Sequence, residues 1–190
     1  MMAKNGELDM VISVSYSSKR EDYLLYTDAQ REFAKSGKMH DEYLWISEYV
    51  FFCRKVFAEK IKFESYGQLK ADGYKVGTIR EYTYNPEFID AGFPPIVASD
   101  ISTGFRMLKE GKIDLLPCDR AVGLATAKLM GLKDDVAFLP KVMFSKPYLM
   151  PFCKKSPRPD KEELMRNIYA ALAELRKSGE YDKLRRRHVE

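Results

Sequence analysis

The sequence predicts an α/β protein built from two similar lobes. Short apolar runs typical of buried strands alternate with longer segments of helical periodicity. A nine-residue pattern also occurs twice, because Met2 to Met10 and Met107 to Leu115 share Met, Lys, Gly, an aliphatic residue and Asp at the same spacing. Such a repeat predicts two like structural units.

The second copy of the repeat has clear boundary signals. Ser99 and Asp100 are suitable N-caps for a helix, and Gly111 is suitable for its C-terminal end. A short buried strand is predicted to follow at Ile113 to Leu116. By analogy, Gly6 in the first copy should end a helix and Leu8 to Val14 should form a strand.

The middle of the chain continues the alternation. Strands are predicted at Tyr49 to Cys53 and at Lys75 to Ile79. Asn85 followed by proline indicates a helix start, and Ala121 to Met130 predicts a helix that ends at Gly131.

The last helix is long and amphipathic. Asp160 and Glu163 have the spacing of a capping box, with Asp in place of Ser or Thr. Gly179 should end this helix. Its buried stripe is predicted to consist of Leu164, Ile168, Leu172 and Leu175.

Composition narrows the function classes. The chain has 190 residues, is 45% hydrophobic and carries a formal net charge of +4, which is too balanced to favour nucleic acid as a partner. No run approaches the ~20 apolar residues of a membrane span. Cys53, Cys118 and Cys153 have no metal-binding spacing with each other or with histidine, so neither a metal nor a cofactor is expected.

The order of several weak motifs is more specific than any one of them. The motifs are Gly6 to Asp9, an apolar run from Val11, Arg20, the triplet Tyr26-Thr27-Asp28, Lys75-Val76-Gly77, Gly111 to Asp114, and Asp119. In this order the chain resembles the family 3 extracellular solute-binding proteins, which are receptors of polar amino-acid ABC transporters. The likeness covers nearly the whole chain.

This resemblance implies a type II periplasmic-binding-protein-like fold, with two α/β lobes joined by two crossing segments around a ligand. Residues 1–55 and 147–190 would form lobe one, and residues 56–146 would form lobe two. The resemblance also implies that lobe one is incomplete, because the family's first strand–helix–strand portion has no counterpart here. A signal peptide would precede that portion in a full-length member, so a periplasmic location is expected.

The resemblance also assigns a ligand site. Arg20 matches the family's carboxylate clamp, and Asp119 matches its acid for the α-ammonium group. Ser13 and Ser15 fall where the family has small or hydroxyl residues near the ligand. Each has a plainer alternative: a surface arginine, an N-cap for the helix near Ala121, and the polar face of a strand.

One position departs from the family pattern. Where the family has glycine followed by Ser or Thr to bind the ligand carboxylate, this chain has Glu81, Tyr82 and Thr83. Thr83 can still donate a hydrogen bond, but a glutamate beside an anion site repels the anion. Tyr16 and Tyr82 are candidates for walls of the pocket, with core packing as the alternative.

The predicted function is therefore ligand capture, with the permease of an ABC transporter as a partner and no catalytic residue. A sensor or non-transport binding module of the same fold is the alternative, and a cyclohexadienyl dehydratase-like enzyme is a weaker one. The incomplete lobe predicts a homodimer or a domain swap. Equivalent positions on the crossing segments leave open a disulfide between Cys53 and Cys153, with two buried thiols as the alternative.

Overall fold

The computed structural model describes residues 2–38, 40–80, 82 and 84–188. The chain divides into two compact units. Unit 1 comprises Met1–Ile46 and Lys146–Glu190, and unit 2 is the continuous stretch Ser47–Ser145. The helices are α1 Met2–Asn5, α2 Asp28–Ser36, α3 Tyr66–Ala71, α4 Pro86–Asp90, α5 Ile101–Lys109, α6 Arg120–Leu129, α7 Lys161–Lys177 and α8 Glu180–His188. The strands are β1 Trp45–Arg54, β2 Gly77–Ile79, β3 Ile96–Ala98, β4 Leu116–Asp119, β5 Val136–Phe138 and β6 Phe144–Tyr148.

Strand β1 is the centre of unit 2. It pairs antiparallel with β4 and β5, and Tyr49 lies opposite Asp119 in the register with β4. Alternate side chains of β1 enter two core clusters, with Val50 and Phe52 in one and Phe51 in the other. A strand buried on both faces is apolar at successive positions, which explains the run that predicted it.

The remaining strands of unit 2 lie beside this core. Strands β2 and β3 pair in parallel, and a parallel bridge joins Val76 to Leu115. The predicted strand at Ile113 to Leu116 is shifted, because β4 runs from Leu116 to Asp119. Helix α5 begins as predicted, since the Asp100 carboxylate accepts a hydrogen bond from the Thr103 N–H at 2.7 Å.

The segment Leu8 to Val14 in unit 1 does not form the regular strand that was predicted. Only isolated bridges occur there among the described residues, from Met10 to Phe152 and from Val14 to Leu149. Ser13 has φ 68°, a left-handed conformation that a regular strand excludes. The facing segment contains Pro151, which has no N–H to donate.

The start of α7 also differs from the prediction. Asp160 is the N-cap residue, but its side chain does not cap the helix. Its two carboxylate oxygens accept from the Arg158 guanidinium, at 3.0 Å from Nε and 2.8 Å from Nη2. The capping box is therefore wrong, because a neighbouring arginine engages the carboxylate.

The apolar stripe of α7 is displaced from its predicted positions. Met165 and Tyr169 are the buried residues of this helix, whereas Leu164 and Ile168 are half-buried and Leu175 is 37% exposed. The stripe prediction used the leucine spacing alone. It overlooked Met165 and Tyr169, which are the buried residues along the adjacent line of the helix.

Arg176 connects the end of α7 to a distant part of unit 1. Its guanidinium lies 3.8 Å from the centroid of the Tyr43 ring and donates to the carbonyl oxygens of Asp41, Tyr43 and Leu44. Stacking on an aromatic ring and donating to several carbonyls suits the planar guanidinium. This contact fixes residues 41–44 against the last helices.

Candidate functional site

Arg20 lies at the end of a short 3-10 helix, Ser18–Arg20, in unit 1. Its Nη1 donates to the Ser15 carbonyl oxygen at 2.7 Å and lies 3.4 Å from the Ser15 hydroxyl. The side chain is half-buried, and the described residues place no carboxylate within ion-pair distance of it. Ser15 therefore holds the guanidinium at Nη1, and no carboxylate of the described residues pairs with its charge.

Ser13 has a different environment from Ser15. The left-handed turn at Ser13 directs its N–H and that of Val14 to the same acceptor, the Leu149 carbonyl, at 3.0 and 3.2 Å. The structure thus brings Ser15 and Arg20 together, while Ser13 fixes the path of the chain before them. A ligand role for either serine stays a prediction.

Tyr16 packs against the core of unit 1. Its ring meets that of Tyr26 edge to face, with centroids 5.1 Å apart. It lies against the buried cluster that contains Leu24 and Leu149. This packing favours the structural interpretation of Tyr16, and its role as a wall of the pocket remains untested.

Asp119 occupies the junction between β4 and α6 in unit 2, and its side chain is 9% exposed. As the N-cap of α6, it accepts a hydrogen bond from the Val122 N–H on Oδ1 at 2.8 Å. Its Oδ2 accepts from the hydroxyl of Ser47 at 2.5 Å. Both donors are uncharged, and among the described residues no basic side chain lies within ion-pair distance of Asp119.

Ser47 was not found from the sequence. It is 1% exposed and lies 72 residues before Asp119 in the chain. The available signal was a serine next to the apolar run of β1, where a buried hydroxyl needs a hydrogen-bond partner. Its partner could be identified only from the pairing of β1 with β4.

The turn after β2 has its backbone donors engaged within unit 2. The Ile79 N–H donates to the Tyr84 hydroxyl at 3.0 Å, the Arg80 N–H to the Ala98 carbonyl at 3.0 Å, and the Tyr82 N–H to the Ile79 carbonyl at 3.2 Å. These three N–H groups are therefore not free to bind a carboxylate. Thr83, the predicted donor, and Glu81, the residue predicted to repel an anion, lie outside the described residues.

The side chain of Tyr82 is partly accessible. It is 37% exposed, and its ring centroid lies 6.5 Å from that of Tyr84. Tyr84 is buried at 8% exposure and its hydroxyl fixes the turn. Tyr82 thus forms an aromatic pair with a buried tyrosine of unit 2, and its role in ligand binding stays a prediction.

The three cysteines are free and buried. Burial raises the pKa of the Cys53 thiol to about 11 and that of the Cys118 thiol to about 12. Such thiols stay protonated at neutral pH and are poor nucleophiles and metal ligands. The disulfide between Cys53 and Cys153 is absent from this structure.

Within the described part of the chain, acidic, histidine and cysteine side chains form no cluster suited to a metal ion. The helices described there include none with both the length and the apolar character to cross a bilayer.

Comparison of sequences found no matching family model and no matching curated protein. Solved structures do match. The ligand-binding core of GluR0 in complex with L-glutamate aligns with a TM-score of 0.70 at 14% identity, covering 100% of this chain and 76% of that one. A histidine kinase sensor domain with similarity to periplasmic binding proteins aligns with a TM-score of 0.67 at 19% identity, covering 98% and 72%.

An ancestral arginine-binding protein bound to arginine aligns with a TM-score of 0.63 at 23% identity, covering 98% of this chain and 74% of that one. Identities this low establish the fold and leave the ligand open. The chain therefore has the α/β fold of type II periplasmic-binding-protein-like domains.

Proposed function

We propose that the chain is a solute-binding protein that captures a small polar ligand, an amino acid or a related molecule, for delivery to the permease of an ABC transporter. The periplasm is its proposed location. The observation that carries the proposal is Arg20, a half-buried cation held by Ser15 and without a carboxylate partner among the described residues. A planar guanidinium is suited to bidentate recognition of a ligand carboxylate.

Asp119 supports the same proposal from unit 2. It is a buried carboxylate with two uncharged donors and no cation among the described residues. Burial of a charge is costly unless the charge is paired. We assign Asp119 to the ligand ammonium, while it also serves as the N-cap of α6.

A thermal-shift screen of the whole chain tests the proposal. The panel contains the twenty amino acids and small carboxylates such as glutarate, and hits are measured by isothermal titration calorimetry. We expect a saturable shift from one class of amino acid, lost in Asp119→Asn and kept in Asp134→Asn, whose carboxylate is exposed in the same unit. A chain that folds and binds nothing in the panel would contradict the proposal.

A sensor or non-transport binding module is the second candidate. The engaged N–H groups of Ile79, Arg80 and Tyr82 favour it, because these three groups are not free to donate to a ligand carboxylate. Its likeness to a histidine kinase sensor domain agrees with this alternative. A folded chain that binds no compound of the panel would favour this candidate. Conversion of a bound ligand into new products, detected by nuclear magnetic resonance, would instead indicate an enzyme.

A second copy of the chain is a further proposed partner. The segment at residues 8–14 bonds to residues 149–153, and the side chains of Leu8 and Ile12 on it are 36% and 58% exposed. Apolar side chains on a strand-like edge favour edge pairing with another chain.

Light scattering after size exclusion checks this pairing. We expect a dimer for the unmodified chain and a monomer for Ile12→Lys, because a buried lysine would oppose the contact. Lys19→Ala is the control at an exposed site of the same unit. A monomer for the unmodified chain at all concentrations would contradict the dimer.

A further inference from the structure

The buried hydroxyl of Ser47 faces the candidate ammonium site of unit 2. Ser47 is 1% exposed, and its Oγ lies 2.5 Å from Oδ2 of Asp119. The serine hydroxyl is the donor and the aspartate carboxylate is the acceptor. Ser47 therefore donates its proton to the Asp119 carboxylate, the group that is proposed to bind the ligand ammonium.

The two bonds to Asp119 fix the plane of its carboxylate. The Val122 N–H holds Oδ1 at 2.8 Å and the Ser47 hydroxyl holds Oδ2. With both oxygens bonded, rotation about the Cβ–Cγ bond would break two hydrogen bonds at once. A carboxylate has about four acceptor positions, so two donors leave capacity for an ammonium group.

No basic side chain of the described residues takes up the remaining acceptor positions of Asp119 as an ion-pair partner. Arg120, which follows Asp119 directly, pairs with Glu48 at 2.6 Å. Glu48 is the neighbour of Ser47 on β1, and Arg120 is the first residue of α6, so the ion pair lies one residue along from the hydrogen bond in both segments. The negative charge of Asp119 is oriented without being neutralised by a described basic side chain.

We propose that Ser47 is a positioning residue for ammonium recognition: it orients the Asp119 carboxylate towards the ligand without contacting the ligand itself. This inference rests on the proposed function. It predicts that the Ser47 hydroxyl contributes to affinity only for ligands that carry an ammonium group. A merely structural hydroxyl would affect every ligand alike.

Calorimetry with paired probes separates these roles. The pairs are L-glutamate with glutarate, L-glutamine with glutaramate and L-arginine with 5-guanidinopentanoate, so that each pair differs by the α-ammonium group. We expect Ser47→Ala to weaken binding of the amino acid about ten-fold, the size of one hydrogen bond to a charged group. Binding of the des-amino partner should change less than about two-fold.

Two further variants complete the test. Ser47→Thr keeps the hydroxyl and should restore most of the affinity, and Ser145→Ala removes an exposed hydroxyl of unit 2 and should change nothing. If Ser47→Ala does not fold, Ser47→Cys replaces it, because a thiol is a weaker donor, and the affinities should rank serine, threonine, cysteine.

The outcomes separate the inference from the function on which it rests. Unchanged amino-acid affinity in Ser47→Ala, or an equal loss for both members of a pair, would overturn the positioning role and leave the proposed function standing. An unmodified chain that folds and binds no compound of the screening panel would overturn both.

Discussion

Binding of an amino acid by the Arg20→Ala variant is expected to be at least about 100-fold weaker than by the unmodified chain. The variant removes two charge-assisted hydrogen bonds to the ligand carboxylate, each worth about 1.5 to 3 kcal/mol. Arg20→Lys should recover only part of the loss, since an ammonium group cannot form the bidentate pair. Calorimetry with the best amino acid from the screen measures both effects.

The control for this prediction is Arg166→Ala, which removes an exposed arginine from α7 of the same unit. It changes the net charge equally and should leave affinity within about two-fold. Circular dichroism should show that both variants fold, because the Arg20 side chain forms hydrogen bonds only with Ser15 among the described residues. Equal affinities for Arg20→Ala and the unmodified chain would rule out the carboxylate clamp.

Gly123→Ala is expected to lower the free energy of unfolding by about 2 kcal/mol or more, in spite of the better helix propensity of alanine. A Cβ atom at Gly123 would lie 2.3 Å from Cε2 and 2.4 Å from Cζ of Phe52. The Phe52 ring is fully buried, with ring centroids of Phe105 and Phe138 at 5.2 and 5.9 Å. These neighbours leave it little room to move, so helix α6 or strand β1 must shift.

Urea denaturation measures this change, and Gly67→Ala is the matched control. Gly67 is also helical, but its nearest neighbour to an added Cβ is the Ser65 hydroxyl at 3.9 Å, so the substitution should be neutral or slightly stabilising. If Gly123→Ala unfolds at the same urea concentration as Gly67→Ala, the close packing of α6 on Phe52 is wrong.

The elements most readily predicted from the sequence were those fixed by local chemistry. The continuous apolar run at Tyr49 to Cys53 is part of β1, and helices α6 and α7 are followed by Gly131 and Gly179 in left-handed conformations. An apolar run and a glycine after a helix act over a few residues. Their physical causes are therefore contained in the sequence windows that predict them.

The errors occurred where a nearby or distant partner competes with a local signal. Asp160 could have capped α7, but Arg158 engages its carboxylate. The internal repeat predicts a strand at Leu8 to Val14, but Ser13 adopts a left-handed conformation against Leu149. A local pattern cannot show which of two acceptable partners a side chain selects.

The candidate site was predictable only in part for the same reason. The family likeness pointed to Arg20 and Asp119, and their ligand roles remain to be tested. Only the structure identifies the groups that hold these two side chains. The Ser15 carbonyl accepts from Arg20, and Ser47, 72 positions before Asp119, donates to it. The hydrogen bond from the Ile79 N–H to the Tyr84 hydroxyl could not be predicted either, because a tyrosine in an aromatic-rich segment indicates core packing.

The contact of Arg176 with residues 41–44 has a consequence for the order in which the chain folds during synthesis. Its hydrogen bonds join residues 132 to 135 positions apart, so they form only after residue 176 has left the ribosome. Unit 2 is continuous in sequence and its contacts close earlier. While unit 2 folds, nascent residues 1–46 therefore lack the partners that residues 146–190 provide, and their apolar surface is exposed for that time.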